Sequence, residues 1–168
     1  MAQERYDNYK NQPLNFTFPS HFTGVKPQHN GIRPKAAIIR KKSSNSEREM
    51  ANAMYIVGFD VKDVHMTDLI SGRKNLEDIQ FIGAVGGFSN SDVLGSAKGW
   101  AGAFLDNEKA KAALENFYKR PDTMSVGICN GCQLLMELEL INPEHDVHGK
   151  MIHNTSGKHE SNFVSVKV

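Results

Sequence analysis

Gly127-Ile128-Cys129-Asn130-Gly131 holds a cysteine two residues from a glycine on either side. This is the pattern of a nucleophile elbow with cysteine in the place of serine. The turn is so tight that positions two before and two after the nucleophile cannot carry bulk. Such a turn lifts the sulfur above the carboxyl edge of a sheet and aims a helix N-terminus at it, which favours the thiolate as nucleophile. The N–H of Asn130 would then point at an oxyanion forming on the attacked carbonyl. The expected chemistry is acyl transfer through a covalent thioester. Cys129 and Cys132 also read as a C-x-x-C redox pair, which favours the same helix start. That reading leaves Gly127 and Gly131 without a purpose. A zinc half-site would need a second C-x-x-C pair, and the chain has two cysteines in all. Cys132 reads as a small helix residue facing the packing.

A second element of the same chemistry is Gly86-Gly87-Phe88. Two glycines at a strand end let backbone approach a ligand closely, and a free N–H there can be the other oxyanion donor. The histidines carry less. His65 reads as structural, and His145 and His148, three apart, could make half of a metal site but have no clustered partners. Lys98-Gly99 is not a phosphate loop, because the G-x-x-x-x-G-K-[ST] spacing is absent.

Positioning these residues requires strands that end at the glycines and the cysteine. Ala36-Ala37-Ile38-Ile39 is an apolar run suited to a strand buried on both faces. Asn45 or Ser46 can cap a helix whose apolar face holds Met50, Met54 and Val57, and Gly58 ends it. Residues 59–66 read as a second strand, 69–76 as a weak helical turn, and 79–85 as a third strand running into Gly86-Gly87. Six glycines follow one another between Gly83 and Gly102, with no element predicted there beyond the strand end. Asp106 or Asn107 then caps a helix with Ala110, Ala113, Leu114, Phe117 and Tyr118 on one face, which Pro121 stops. Residues 124–128 are a fourth strand, 133–140 a helix, and 164–168 the start of another strand. The alternation predicts an α/β fold with a mostly parallel sheet flanked by helices.

The chain has 168 residues, room for one ordinary domain. Twenty Lys and Arg against nineteen Asp and Glu give a net charge of +1, which offers nucleic acid or an anionic membrane nothing to bind. No run is apolar for long enough to span a bilayer, and the polar start is not a secretory signal. Two cysteines exclude a disulfide framework, and the expected compartment is the cytoplasm. Four of the six prolines fall in the first 34 residues among unpatterned aromatics, so residues 1–33 read as an extended segment lying on another surface.

Gly127-Ile128-Cys129-Asn130-Gly131-Cys132-Gln133 resembles the G-x-C-x-G-x-Q signature of the class I (triad) glutamine amidotransferases. "RPKAAIIR", "NSEREMA", "DVHMTDL", "GGFSNSDVLGSAKGWAGAFL", "RPDTMSVGICNGCQLL" and "HNTSGKHESNF" extend the resemblance to the amidotransferase domains of the phosphoribosylformylglycinamidine synthase family, over residues 34–168. The resemblance implies a flavodoxin-like domain, incomplete at the C-terminus, with residues 1–33 as the linker from a preceding domain. It implies Cys129 as the nucleophile on glutamine, Gly87 and Asn130 as oxyanion donors, and Gln133, Asn154, Ser156 and Gly157 at the glutamine. No metal or cofactor is implied in this chain. ATP and Mg2+ belong to the synthase domain of the full-length chain, the expected partner. Departures are Asn90-Ser91, where the family often has Tyr-Gly, and His159, where it has an aromatic.

The family's histidine and carboxylate lie in a downstream H-x-E segment, and none of the histidines after Cys129 has Glu two places later. The expectation is therefore a glutaminase module of a C–N bond-forming ligase, inactive alone. A related cysteine hydrolase of another amide, or a docking module without chemistry, are the alternatives.

Overall fold

The structure, a computed structural model, describes residues 31–161 together with Gln3, Glu4, Tyr6 and Asp7. Those four early residues are helical; of the expected linker residues 31–33 are also described, while its remaining residues, and the strand expected over 164–168, lie outside the described residues. The chain divides into a unit of residues 26–151 and a smaller one of 1–25 with 152–168.

In the larger unit the apolar run becomes β1 (Lys35–Arg40), with Ala36 to Ile39 no more than 2% exposed. It is the inner strand expected. β2 (Ser44–Asn45), α1 (Glu47–Val57), β3 (Asp60–His65), α2 (Met66–Ser71), β4 (Phe81–Ala84) and β5 (Gly86–Gly87) follow, then a 3-10 turn over Ser89–Asp92. α3 (Lys98–Leu105), α4 (Glu108–Tyr118), β6 (Met124–Gly127) and α5 (Asn130–Glu137) complete the unit. Four strands pair in the order β3-β1-β4-β6, every pair parallel. That is the doubly wound, flavodoxin-like order, whose direction reverses at β1. Right-handed crossovers in opposite directions then put α1 on one face and α2 to α4 on the other.

α1 packs on the sheet through Met50 and Met54, against the backbone of Gly83. A Cβ at Gly83 would lie 2.7 Å from the Met54 methyl carbon. On the other side Trp100, Phe104 and Phe117 are fully buried. No helix among the described residues is long and apolar enough to cross a membrane.

The structure differs from the sequence reading in several places, beginning with two helices that start three residues earlier than read, α2 at Met66 rather than 69 and α5 at Asn130 rather than 133. α3 forms inside the glycine-rich stretch, because Trp100 and Phe104, one turn apart, bury one face and outweigh the low propensity of Gly99 and Gly102. β2 and β5 make a two-residue antiparallel pair, Ser44 with Gly87 and Asn45 with Gly86. Ser46 occupies the N-cap of α1, but at φ 69° its side chain makes no capping bond. Asn107 does cap α4, accepting the Ala110 N–H at 3.0 Å. His65 is structural as read: its Nδ1 accepts the Thr67 N–H at 3.2 Å and caps α2.

Candidate active site

β6 delivers the nucleophile to the carboxyl edge of the sheet. Pairing with β4 runs on past the strand as Ile128 N–H donates to Ala84 O at 3.0 Å. The chain then reverses. Gly131 N–H donates to Ile128 O at 2.9 Å, and Gln133 N–H to Cys129 O at 3.1 Å, which opens α5 immediately behind the cysteine. Cys129 itself sits at φ 56°, ψ −112°, a region that residues with a Cβ seldom occupy. Its thiol is exposed, while Cys132 is half-buried.

Both flanking glycines are required by space. A Cβ on Gly127 would lie 2.7 Å from Cys132 N, and one on Gly131 would overlap Ala84 O and come 2.9 Å from Val85 O. The helix start, the β6 end and the β4 end therefore meet with no side chain between them. This is the elbow that the spacing of the motif anticipates.

The Gly86-Gly87 pair lies beside it. A Cβ at Gly86 would be 3.3 Å from Cys129 Cβ and 3.9 Å from its sulfur, so the β5 backbone runs along the nucleophile. Gly87, at φ 104°, has its own constraint: a Cβ there would be 2.7 Å from both Ser43 O and Asn45 N. β5 is pinned on that side by β2 and by Phe88 N–H donating to Ser43 O at 3.0 Å. The turn after β1 thus fixes the glycine pair, an arrangement that no local signal around residue 87 announces.

Asn130 is buried, and its carboxamide bonds Ser89, Asp92 and Gln133. The sequence motif points to its backbone N–H alone. As the first residue of α5, that N–H has no carbonyl within the helix to bond. Gln133, one turn on, accepts from Asn130 Nδ2 at 2.9 Å.

Two more residues frame the site without a place in either motif. Asp92 Oδ1 accepts the Ala97 N–H at 3.0 Å and holds the loop ahead of α3. Lys41, just past β1, donates to Gly99 O at 3.0 Å, and its burial pushes the ammonium below the usual lysine range. The available signal for Asp92 is an acidic residue among turn formers ahead of Ala97; Lys41 leaves none.

Asn154, Ser156 and Gly157 lie in the smaller unit and share one exposed turn. Gly157 N–H donates to Asn154 O at 2.9 Å, and Asn154 Nδ2 donates to Lys158 O at 2.8 Å. Among the described residues no side chain hydrogen-bonds the Cys129 sulfur. His145 faces Glu144 at 3.6 Å and His148 faces Glu139 at 3.7 Å. Among the described residues, no three His, Cys, Asp or Glu side chains gather as a metal site.

An exposed cysteine on an elbow, flanked by a glycine backbone and a helix N-terminus, is built to attack a carbonyl and stabilise the resulting oxyanion. Comparison with known proteins gives the family. The phosphoribosylformylglycinamidine synthase of Homo sapiens is 45% identical over 166 residues, covering 90% of this chain and 12% of that protein. The Arabidopsis thaliana protein named "Probable phosphoribosylformylglycinamidine synthase, chloroplastic/mitochondrial" is 45% identical over 144 residues, covering 82% of this chain and 10% of its own length. The chain thus spans about an eighth or less of these relatives. Among solved structures, a chain from the structure of PurLQS from Thermotoga maritima superposes with a TM-score of 0.59 at 28% identity, over 76% of this chain and 51% of that one. The family model described as CobB/CobQ-like glutamine amidotransferase domain matches residues 33–168. With the elbow, the doubly wound sheet and that match over most of its length, the chain belongs to the CobB/CobQ-like glutamine amidotransferase domain family.

Proposed function

We propose that this chain is the glutaminase module of a phosphoribosylformylglycinamidine synthase. The observation that carries the reading is the Cys129 elbow with the Gly86-Gly87 backbone alongside its sulfur. The 45% identity to proteins of that name supports the substrate assignment.

In this mechanism the Cys129 thiolate attacks the side-chain amide carbon of glutamine. The tetrahedral oxyanion takes N–H bonds from Gly87 and Asn130. Collapse breaks the C–N bond, and the leaving nitrogen takes a proton and departs as ammonia. Water then cleaves the thioester to glutamate and frees the thiol. Gln133, Asn154, Ser156 and Gly157 hold the glutamine. Ammonia passes to the synthase part of the full-length protein, where ATP and Mg2+ drive conversion of formylglycinamide ribonucleotide to formylglycinamidine ribonucleotide. Residues 1–33 serve as the linker from that part, and 34–168 as the amidotransferase portion. The cytoplasm, a reducing compartment, suits two free thiols.

The proton transfers need a histidine oriented by a carboxylate. Residues 130–168 contain no His-x-Glu, and the expected outcome is ammonia release from residues 1–168 several orders of magnitude slower than from a longer chain that carries such a pair. A glutamine-derived chloroketone tests the site directly. It should alkylate Cys129 rather than Cys132, and added glutamine should protect. Labelling at Cys132, or no protection, overturns the reading. Equal ammonia release from the two chain lengths would place the base within residues 1–168.

A further inference from the structure

The Asn130 side chain has an orientation that its surroundings dictate. Its Oδ1 accepts the Ser89 N–H at 3.3 Å, and a backbone amide can only donate, so Nδ2 must face acceptors. It does: Gln133 Oε1 at 2.9 Å and Asp92 Oδ2 at 3.4 Å. One bond accepted and two donated satisfy a carboxamide that is 1% exposed. Asp92 extends the network to the start of α3 through the Ala97 N–H at 3.0 Å. The residue next to the nucleophile is therefore tied to both ends of the turn that follows β5.

That turn and the loop after it are strained. Asn90, Ser91, Asp92, Ser96 and Ala97 all have positive φ without being glycine, a region that strains any residue with a Cβ. Ser89 Oγ in this turn, like Trp100 Nε1 in α3, is buried with no hydrogen-bond partner. A strained segment with orphaned polar atoms needs an external anchor. It gets one from Asn130, and from Asn90 N–H donating to Lys42 O at 2.9 Å. Gly86-Gly87 enters directly into this segment, so its position beside the sulfur depends on this anchor as well as on the pairing with β2.

We infer that Asn130 is a positioning residue for the glutaminase reaction: its carboxamide keeps the turn over Ser89–Asp92, and hence the β5 backbone, in register with Cys129 while orienting Gln133. The inference rests on the amidotransferase reading. It is separate from the Asn130 backbone N–H, which side-chain substitution leaves in place.

The test exchanges donor and acceptor. Asn130→Asp sets a carboxylate against that of Asp92 and removes the donor to Gln133. Adding Asp92→Asn restores a donor facing an acceptor. In the double variant the carboxamide oxygen at position 92 still takes the Ala97 N–H, and the carboxylate at position 130 still takes the Ser89 N–H. Gln133 can rotate its amide to donate. Alkylation of Cys129 by the glutamine chloroketone is compared with alkylation by iodoacetamide, which needs no glutamine pocket. Hydrogen exchange over residues 86–97 is read in parallel. Asn130→Asp should slow chloroketone labelling about tenfold or more relative to iodoacetamide and lose protection over 86–97, and the double variant should recover both. Unchanged labelling in the single variant, or a folded double variant without recovery, overturns the inference. If the single variant does not fold, the double variant alone decides: labelling near the unsubstituted rate supports the exchange, and any other result overturns it. If the unsubstituted chain does not prefer the chloroketone, the amidotransferase reading falls, while exchange protection still reports whether the tether exists.

Discussion

At the scale of single residues, the site is made by what two positions lack. Gly131 has an ordinary helical backbone, so its requirement is one of space: a Cβ would overlap Ala84 O and lie 2.9 Å from Val85 O. Gly95 is the opposite case, at φ 72° with nothing within 4 Å of an added methyl. Gly131→Ala should cost about 3 kcal/mol, because two main chains must separate. Gly95→Ala should cost about 1 kcal/mol, the price of a left-handed alanine alone. Urea denaturation of the two variants checks the order, and an equal loss would mean that the elbow is looser than its geometry. Cys129 and its two glycines are legible in the sequence from the spacing of the motif, although only Gly127 meets near neighbours in the chain, while Gly131 meets Ala84 and Val85. The Asn130 carboxamide is not, because its partner Ser89 is 41 residues away.

At the scale of elements, capping separates the two longest helices. Asn107 accepts a bond from the first turn of α4, whereas Ser46 stands at the head of α1 in a left-handed conformation without one. Asn107→Ala is expected to lower stability by about 1 kcal/mol, and Ser46→Ala by no more than a few tenths. Thermal melts of the pair give the comparison; equal shifts would mean that Ser46 caps in solution. Residue type announces a cap at both helices, but the conformation at Ser46 follows from β2 pairing with β5 one residue earlier. α3 shows the same override in the other direction. Its glycines argue against a helix locally, and burial of Trp100 and Phe104 decides for one.

At the scale of the larger unit, charge locks one edge of the sheet. Asp78 accepts bonds from Lys35 at 2.8 Å and Lys62 at 2.6 Å, joining β1 and β3 to the loop before β4. These two bonds hold its carboxyl at about 2, below the ordinary 3.8. Arg40 likewise holds Asp63 below the usual carboxylate range through two hydrogen bonds. A depressed carboxylate contributes stability in full above its unfolded value. As the pH falls from about 4 to about 2, the unfolded chain takes the proton first and that contribution is lost. Asp78→Asn should therefore flatten the fall in melting temperature between pH 4 and pH 2 and leave the trend above pH 5 unchanged. An acid limb as steep as that of the unsubstituted chain would remove Asp78 from the account.

The sequence by itself determined the alternation of strand and helix, the buried inner strand at Ala36–Ile39, and the nucleophile at Cys129 between its glycines. Apart from Gly131, whose space is taken by Ala84 and Val85, each of these depends on residues within a turn or a strand of one another, where periodicity and steric exclusion leave a local record. The tertiary structure alone decided that the turn after β1 pins Gly87, that Asn130 and Asp92 tie the loop before α3 to the nucleophile's helix, and that a glycine-rich stretch becomes α3. These depend on the order β3-β1-β4-β6, which brings the ends of β1, β4 and β6 to one edge of the sheet. Main-chain atoms and common polar side chains make most of those contacts, and they leave no pattern until the strands have been placed side by side.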